Sequence, residues 1–483
     1  MTANTIHALC DERLAERFPD AARRASVASK LTALLKDLAA SDALAKATIE
    51  HAQGKSVAAP DGGVLQLGFV LYWAKHEPDV IQKLLKNHPE LQKAWDVVGF
   101  LLTLLDPPTV TPAEYEFALA RLKADGLVGP DGQILGDGKY QGADPDWMLA
   151  FFNYVLNLIE PSSIAPFTNG AAKPFVAPLE PCGPAGKPVR IAVIGDWGTG
   201  AFDGGGYDPA SDVLKTVADL KPDYVVHLGD VYYSGSDERP MPGEESARLV
   251  AMWPKMPPER SFTLNSNHEM YGGAQGYFQV ALGRDGSTTP FAHQNGLSYF
   301  ALTRGDWAFV GLDAAYFDPS SLYMDGGLGA PGADPQYAFL EAIDREFKNV
   351  VLFSHQTAMS TDGSTPMQLW SDVTSVLAPE KIRLWYWGHI HLGLVYGAGS
   401  ALGAKGVRAR CAGHSAIPIG DAWGLKGAAG IEWLAHTPVG PPAYPNRVRN
   451  GFALLTVSDS GVDEAFYDAG DATRPAWSES SAR

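Results

Sequence analysis

The strongest constraint in this chain is a set of five short apolar runs, each ending in a polar residue able to hold a metal ion. RIAVI (190–194) runs into Gly195-Asp196-Trp197-Gly198, YVVHL (224–228) into Gly229-Asp230-Val231-Tyr232-Tyr233, and SFTL (261–264) into Asn265-Ser266-Asn267-His268-Glu269. NVVLFS (349–354) runs into His355, and IRLWYW (382–387) into Gly388-His389-Ile390-His391. Runs this short, rich in β-branched and aromatic residues and bounded by Gly and Asp, read as buried strands. Between the first two, Asp208-Pro209 opens a predicted helix through about Leu220, which makes a strand-helix-strand unit with parallel strands. In open α/β sheets, functional groups gather outside the carboxyl ends of the strands. The five loops are therefore expected to meet in one crevice, and Asp, Asp, Asn and three His meeting there predict a metal site.

Composition removes several classes. With 483 residues, 46% hydrophobic and 19% charged, the chain is no disordered polymer. A formal charge of −17 repels polyanions, so no nucleic-acid partner is expected. The apolar runs 67–73 and 97–105 fall well short of the ~20 residues a membrane-spanning helix needs, and no membrane span is expected. The first residues show neither a basic nor an apolar leader region, so the expected compartment is the cytoplasm. Cys10, Cys182 and Cys411 are too few and too scattered for a thiolate metal site.

Three regions are expected. Residues 1–160 read as mainly helical, of unknown role: Leu31, Leu34, Leu35 and Leu38 recur at helical spacing, Thr111-Pro112-Ala113-Glu114 is a capping box, and Asp144-Pro145 opens another helix. Residues 161–189 read as a proline-rich linker. Residues 190–483 read as the catalytic domain. In it, 297–303 and 307–312 form a hairpin around Arg304-Gly305-Asp306, which reads as turn chemistry, and 451–457 with 462–467 read as closing strands. His227 reads as a satisfied core histidine, and Trp197 and Trp387 as packing residues.

Mixed imidazole and carboxylate ligands suit Fe, Zn or Mn. There are enough ligands for two ions, with a carboxylate such as Asp230 between them, and two-metal sites activate water for in-line displacement at phosphorus. The expected reaction is phosphoester hydrolysis of a small phosphorylated substrate.

GDWG, GDVYY, SNHE, LFSH and GHIH, in this order over Asp196 to His391, resemble the five-block signature of the calcineurin-like metallophosphoesterases. Gly198 at the second position after Asp196 and Tyr233 three residues after Asp230 make the pattern similar to the purple acid phosphatases. The resemblance implies a four-layer α/β/β/α sandwich of two mixed sheets. It implies a first metal held by Asp196, Asp230, Tyr233 and His391, and a second held by Asn267, His355 and His389, with Asp230 bridging. It also implies Fe(III) with a divalent Fe, Zn or Mn ion, and a metal-bound hydroxide as nucleophile. His268 is the expected acid–base residue, with Glu269 orienting its ring or raising its pKa and Asn267 touching a phosphate oxygen.

The chain departs from the pattern at Ser266, usually glycine, and Leu352, usually valine; both changes are expected to be tolerated. The further histidines that plant-type members carry after the residue matching His355 are missing from 356–367, and His414 is the candidate to replace them in substrate binding. A phosphomonoesterase is the leading expectation. A phosphodiesterase acting on small diesters, such as cyclic nucleotides or lipid headgroups, is the alternative, and a non-catalytic binding protein with a vestigial metal site is a third reading.

Overall fold

The strands alternate in what they bury, and that alternation builds the layers. The computed structural model describes residues 161–168, 173–184, 186–204, 206–236, 243–443 and 446–480, with isolated positions at 21, 22, 25, 139, 140, 150, 153, 154 and 157. The helices expected around 31–38 and from 111 lie outside the described residues. Of the helix expected from 144, positions 150, 153, 154 and 157 are described, and all four are helical and buried.

Strand β1 spans Phe175–Pro178, β2 Val189–Ile194, β3 Tyr224–His227 and β4 Ser261–Thr263. β5 (Phe300–Arg304) and β6 (Trp307–Gly311) are followed by β7 (Asn349–Phe353), β8 (Ile382–Trp387), β9 (Gly393–Tyr396) and β10 (Arg408–Ala412). The last strands are β11 (Ile419–Gly420), β12 (Ile431–Leu434), β13 (Arg447–Val448), β14 (Gly451–Ser458), β15 (Gly461–Asp468) and β16 (Trp477–Glu479). Among the described residues they form an eight-stranded sheet ordered β1-β5-β6-β7-β8-β10-β9-β12, a six-stranded sheet ordered β16-β15-β14-β2-β3-β4, and a β11-β13 pair. Both large sheets are mixed: β2, β3 and β4 run parallel while β14 is antiparallel to β2, and β6, β7, β8 and β10 run parallel while β9 turns back.

The inner faces pack on each other. Ile191, Val193, Val226 and Phe262 of the six-stranded sheet share one buried cluster with Leu302, Phe309, Val351, Phe353 and Leu384 of the other. The intervening residues Ala192, Ile194 and Val225 join Ala210, Val213 and Val217 of helix α1 (Pro209–Leu220), and Ala308, Val310, Val350 and Leu352 join Phe339, Leu340 and Ile343 of α3 (Pro335–Glu346). Period-2 burial on both faces of both sheets gives the helix-sheet-sheet-helix order. Two shorter helices, α2 (Asn267–Tyr271) and α4 (Gln368–Thr374), complete the set used here. α1 starts where expected because the Asp208 side chain accepts from Ser211 N (3.2 Å) ahead of Pro209, and it stops at Lys221, which turns left-handed at φ 50°.

The linker expectation needs correction. Phe175–Pro178 pairs in parallel with β5 as an edge strand of the eight-stranded sheet, so this part of the segment belongs to the sandwich. Its prolines, Pro174 and Pro178, fall at the ends of an edge strand, where a missing N–H is tolerated, and Phe175 stays free to pack on Phe262. Arg304-Gly305-Asp306 is the β5–β6 turn, with Arg304 paired to Asp459 (3.1 Å) and Asp306 to Lys348 (2.8 Å). Among the described residues no helix is long and apolar enough to cross a membrane.

One charged tie crosses the apolar layer between the sheets. Arg410 on β10 donates to both carboxylate oxygens of Glu464 on β15 (2.9 and 3.1 Å) and to Glu479 (2.7 Å), while the Tyr386 hydroxyl donates to Glu464 (2.5 Å). Removing one partner of a buried pair leaves the other charge stranded, at a cost of about 3–5 kcal/mol. Arg410→Ala should lower the unfolding free energy by about 3 kcal/mol, the low end because Arg408 also reaches Glu464 at 3.0 Å. Denaturant unfolding of the variant checks this.

Candidate metal centre

Five loops at the carboxyl ends of β2, β3, β4, β7 and β8 bring the predicted ligands together from both sheets. Asp196, Asp230, His389 and His391 all have positive φ (57°, 75°, 70° and 51°), a backbone region that costs a non-glycine residue of the order of 1 kcal/mol or more. The flanking glycines make that turn possible. A side chain on Gly388 would collide with Asp196 Oδ2, and one on Gly229, itself at φ 104°, would come within 3.0 Å of the His355 ring. Gly198 has no room for a ligand of its own, since a Cβ there would lie 2.6 Å from the Asp230 carbonyl oxygen.

On one side, Asp230, Asn267, His355 and His389 turn acceptor atoms toward one another. Asn267 Oδ1 lies 2.8 Å from His355 Nε2 and 3.1 Å from His389 Nδ1, the two ring nitrogens are 3.2 Å apart, and His355 Nε2 is 3.1 Å from Asp230 Oδ1. The outer ring nitrogens fix the tautomers. His355 Nδ1 donates to the Leu228 carbonyl (2.9 Å) and His389 Nε2 to the Met324 carbonyl (3.0 Å), so the inner nitrogens of the neutral rings present lone pairs. Asn267 Nδ2 is turned outward to the Tyr271 hydroxyl (3.0 Å), which leaves its oxygen inside. Four acceptors at these distances suit a shared cation.

The other side is built on Asp196, Asp230 and His391. His391 Nε2 is 3.4 Å from Asp196 Oδ1 and 3.6 Å from Asp230 Oδ2. Asp196 Oδ1 is buried with no hydrogen bond among the described residues, while Oδ2 accepts from the His389 backbone N–H (3.0 Å). An orphaned carboxylate oxygen facing an imidazole nitrogen is what a metal ligand looks like before the ion is counted. Burial and the charge of Asp230 push the Asp196 carboxyl well above its ordinary range; burial also opposes ionisation of Asp230, but the His268 and His355 imidazoles hold it well below. Asp230 has one oxygen in each group, and Asp230, His268 and His391, like Asp196, Asp230 and His355, have ligand atoms within 4.8 Å of one another.

Several expectations shift position. The phenol in the first group is that of Tyr232, 2.9 Å from Asp230 Oδ2 and 3.1 Å from His391 Nε2. Tyr233, expected there, stacks on Tyr140 (4.8 Å) beneath Lys139, and offers its carbonyl to His268 Nδ1 (2.7 Å). That carbonyl orients the His268 ring, whose Nε2 is 3.9 Å from Asp230 Oδ2. Glu269, expected to orient His268 or raise its pKa, accepts from the Ser266 hydroxyl and still interacts electrostatically with His268. His414, expected in the substrate pocket, is buried in packing: its ring fills the space a Cβ would need at Gly393 and Gly451 and lies 6.0 Å from that of Phe466. His227 is a core histidine bonded to Thr263 (3.0 Å), and Trp197 packs with its ring N–H on the Ala210 carbonyl (3.0 Å).

Ser266, which stands where the resemblance has glycine, does more than fit the space. Its hydroxyl reaches Asp230 Oδ1 (2.5 Å) and Glu269, and it caps α2 by accepting from the His268 N–H (3.0 Å). Burial first, then the Asp230 charge, push the Glu269 carboxyl up to about 8, while the hydrogen bond from the Ser266 hydroxyl opposes that rise. A hydroxyl in this role gives no periodic signal; its place just ahead of a short helix was the available clue.

The fold is an α/β sandwich with a candidate two-metal crevice at its strand ends. Residues 189–393 match the family model of the calcineurin-like phosphoesterases, which supports placing this region in that superfamily. Among solved structures, a Plasmodium protein described as GAP50, the anchor in the inner membrane complex, is 12% identical over 61% of this chain and 88% of its own, with a TM-score of 0.39. A conserved uncharacterized protein of Streptococcus pneumoniae TIGR4, described as a predicted phosphoesterase, is 12% identical over 60% of this chain and 96% of its own, with a TM-score of 0.26. Superpositions this loose add nothing to the assignment. No curated protein matches the chain at a significant level.

Two predictions come from these contacts. Ser266→Ala should cost about 1–2 kcal/mol of stability through the lost cap and about 10–100-fold in metal affinity through the freed Asp230, read by denaturant unfolding and metal titration. The second concerns acid. Burial lowers His227 and His414 from 6.5 to about 3, so below about pH 6.5 the unfolded chain binds protons that the fold does not, and stability declines as pH falls from about 6.5 toward 3. Each histidine accounts for about 2 kcal/mol between pH 7 and 5. His227→Gln should therefore lose about 2 kcal/mol less than the parent over that interval in denaturant titrations, and an unchanged pH dependence would refute the assignment.

Proposed function

We propose that the chain is a phosphoester hydrolase with a dinuclear metal centre, acting on small phosphate monoesters in the manner of the purple acid phosphatases. The observation that carries this reading is the inward convergence of Asp230 Oδ1, Asn267 Oδ1, His355 Nε2 and His389 Nδ1 at 2.8–3.2 Å, with the outer ring nitrogens committed to carbonyls. These four would hold the second ion. Asp196, Asp230 and His391 would hold the first, and we assign the phenolate ligand to Tyr232 in place of Tyr233. Fe(III) beside that phenolate and a divalent Fe, Zn or Mn ion in the second position is the proposed loading. Bound there, two ions supply an activated water and neutralise charge on the phosphoryl oxygens.

The chain's own residues do the remaining work. Asp230 sets the spacing between the two groups and Ser266 holds one of its oxygens. His268, with Nδ1 committed to the Tyr233 carbonyl, keeps Nε2 on the crevice side, where it can hold a proton for the leaving oxygen. Asn267 has its oxygen on the metal side and its amide nitrogen on Tyr271, which leaves it little freedom to meet a phosphate oxygen as expected from sequence.

Metal analysis and a visible spectrum of untagged protein, with rates on an aryl phosphate monoester and its diester, test the proposal. About two ions including iron, a phenolate absorption band lost in Tyr232→Phe and retained in Tyr233→Phe, and a faster monoester are expected. His268→Ala should slow the monoester by about 10²–10⁴-fold. A faster diester would overturn the monoester assignment, and fewer than one ion after reconstitution would overturn the hydrolase.

A further inference from the structure

Asn153, Tyr154 and Asn157 reach the loops that carry the candidate ligands. Positions 150, 153, 154 and 157 follow i, i+3, i+4, i+7 spacing, so they share one helix face, and that face is buried. Three of its four residues are polar or hydroxylated, and each reaches a different loop. Asn153 Nδ2 donates to Ser234 Oγ (2.9 Å) in the loop after Asp230. The Tyr154 hydroxyl accepts from the Leu322 N–H (3.1 Å). Asn157 Nδ2 donates to the Tyr271 and Met270 carbonyls (2.6 and 3.2 Å), the last turn of α2.

Two of those contacts lead straight to ligands of the second group. Leu322 and Tyr323 sit at φ 62° and 55°, and this strained turn presents the Met324 carbonyl that receives His389 Nε2. α2 begins at Asn267 and ends at the carbonyls Asn157 holds, and its Tyr271 hydroxyl takes the Asn267 amide. A five-residue helix and a left-handed turn have little stability of their own. We infer that the N-terminal segment is a positioning element of the metal centre: through Tyr154 and Asn157 it fixes His389 and Asn267 in their metal-binding orientation, so the second ion depends on residues far outside the phosphoesterase motifs.

This rests on the two-metal reading, and manganese(II) titration of the chelator-stripped full-length chain, followed by the electron paramagnetic resonance of free manganese, separates the two. The parent should bind two equivalents. Tyr154→Phe, which deletes one oxygen and keeps the ring, and Asn157→Leu should each weaken one equivalent by about tenfold and leave the other unchanged, with the metal-free melting midpoint preserved. Two equivalents at parental affinity in both variants would overturn the positioning role. Equal weakening of both equivalents together with a lower melting midpoint would overturn it as well, in favour of a general packing role. A parent that binds fewer than two equivalents would overturn the two-metal reading itself, and this inference with it.

Discussion

Everything at the crevice is arranged around one carboxylate. Asp230 places Oδ1 among Asn267, His355 and Ser266 and Oδ2 among Tyr232, His391 and His268, so its two oxygens belong to two different donor groups. That division requires the side chain to stand between the two sheets, and the left-handed φ of 75° at Asp230 puts it there. Without charge compensation the geometry would be costly, since Asp196 and Asp230 are both fully buried and the Asp230 charge opposes ionisation of Asp196. Paired buried charges persist only where neighbouring groups or a cation repay their desolvation.

The backbone shows how the fold supports that arrangement. β2, β3 and β4 are adjacent and parallel in one sheet, and β7 and β8 are adjacent and parallel in the other, so five carboxyl ends open on the same side of the sandwich. Each sheet supplies part of the ligand set, and relative sliding of the sheets would pull the two groups apart. The apolar layer between them resists separation but has no direction; the Arg410–Glu464 tie, with two hydrogen bonds of fixed geometry, adds register.

Much of this was legible in the sequence, for a physical reason. A buried strand must be apolar and short, so a polar residue at its end, next to glycine, stands out against the run before it. Asp196, Asp230, Asn267, His355, His389 and His391 all carried that signal. Where two adjacent residues had the same chemistry, counting could not choose between them: Tyr232 and Tyr233 both carry phenols, and only the path of the loop decides which one faces Asp230. Burial misled at His414, which follows a strand as the ligands do, yet points into the sandwich against Phe466. The strand Phe175–Pro178 was hidden because its prolines dominate the local composition, although an edge position tolerates them.

The contacts of Asn153, Tyr154 and Asn157 were out of reach of periodicity altogether. A hydrophobic pattern locates the face of a helix that avoids water, and here the face turned toward the protein carries two asparagines. Their carboxamides are buried because each finds an acceptor there: Asn157 the Met270 and Tyr271 carbonyls that end α2, and Asn153 the Ser234 hydroxyl in the loop beyond Asp230. A short helix and strained turns at a functional site leave such groups exposed inside the protein, and something must answer them. Polar residues at helical spacing, beside a domain whose ligands sit in left-handed backbone, are therefore better read as the partners of those loops than as a solvated surface.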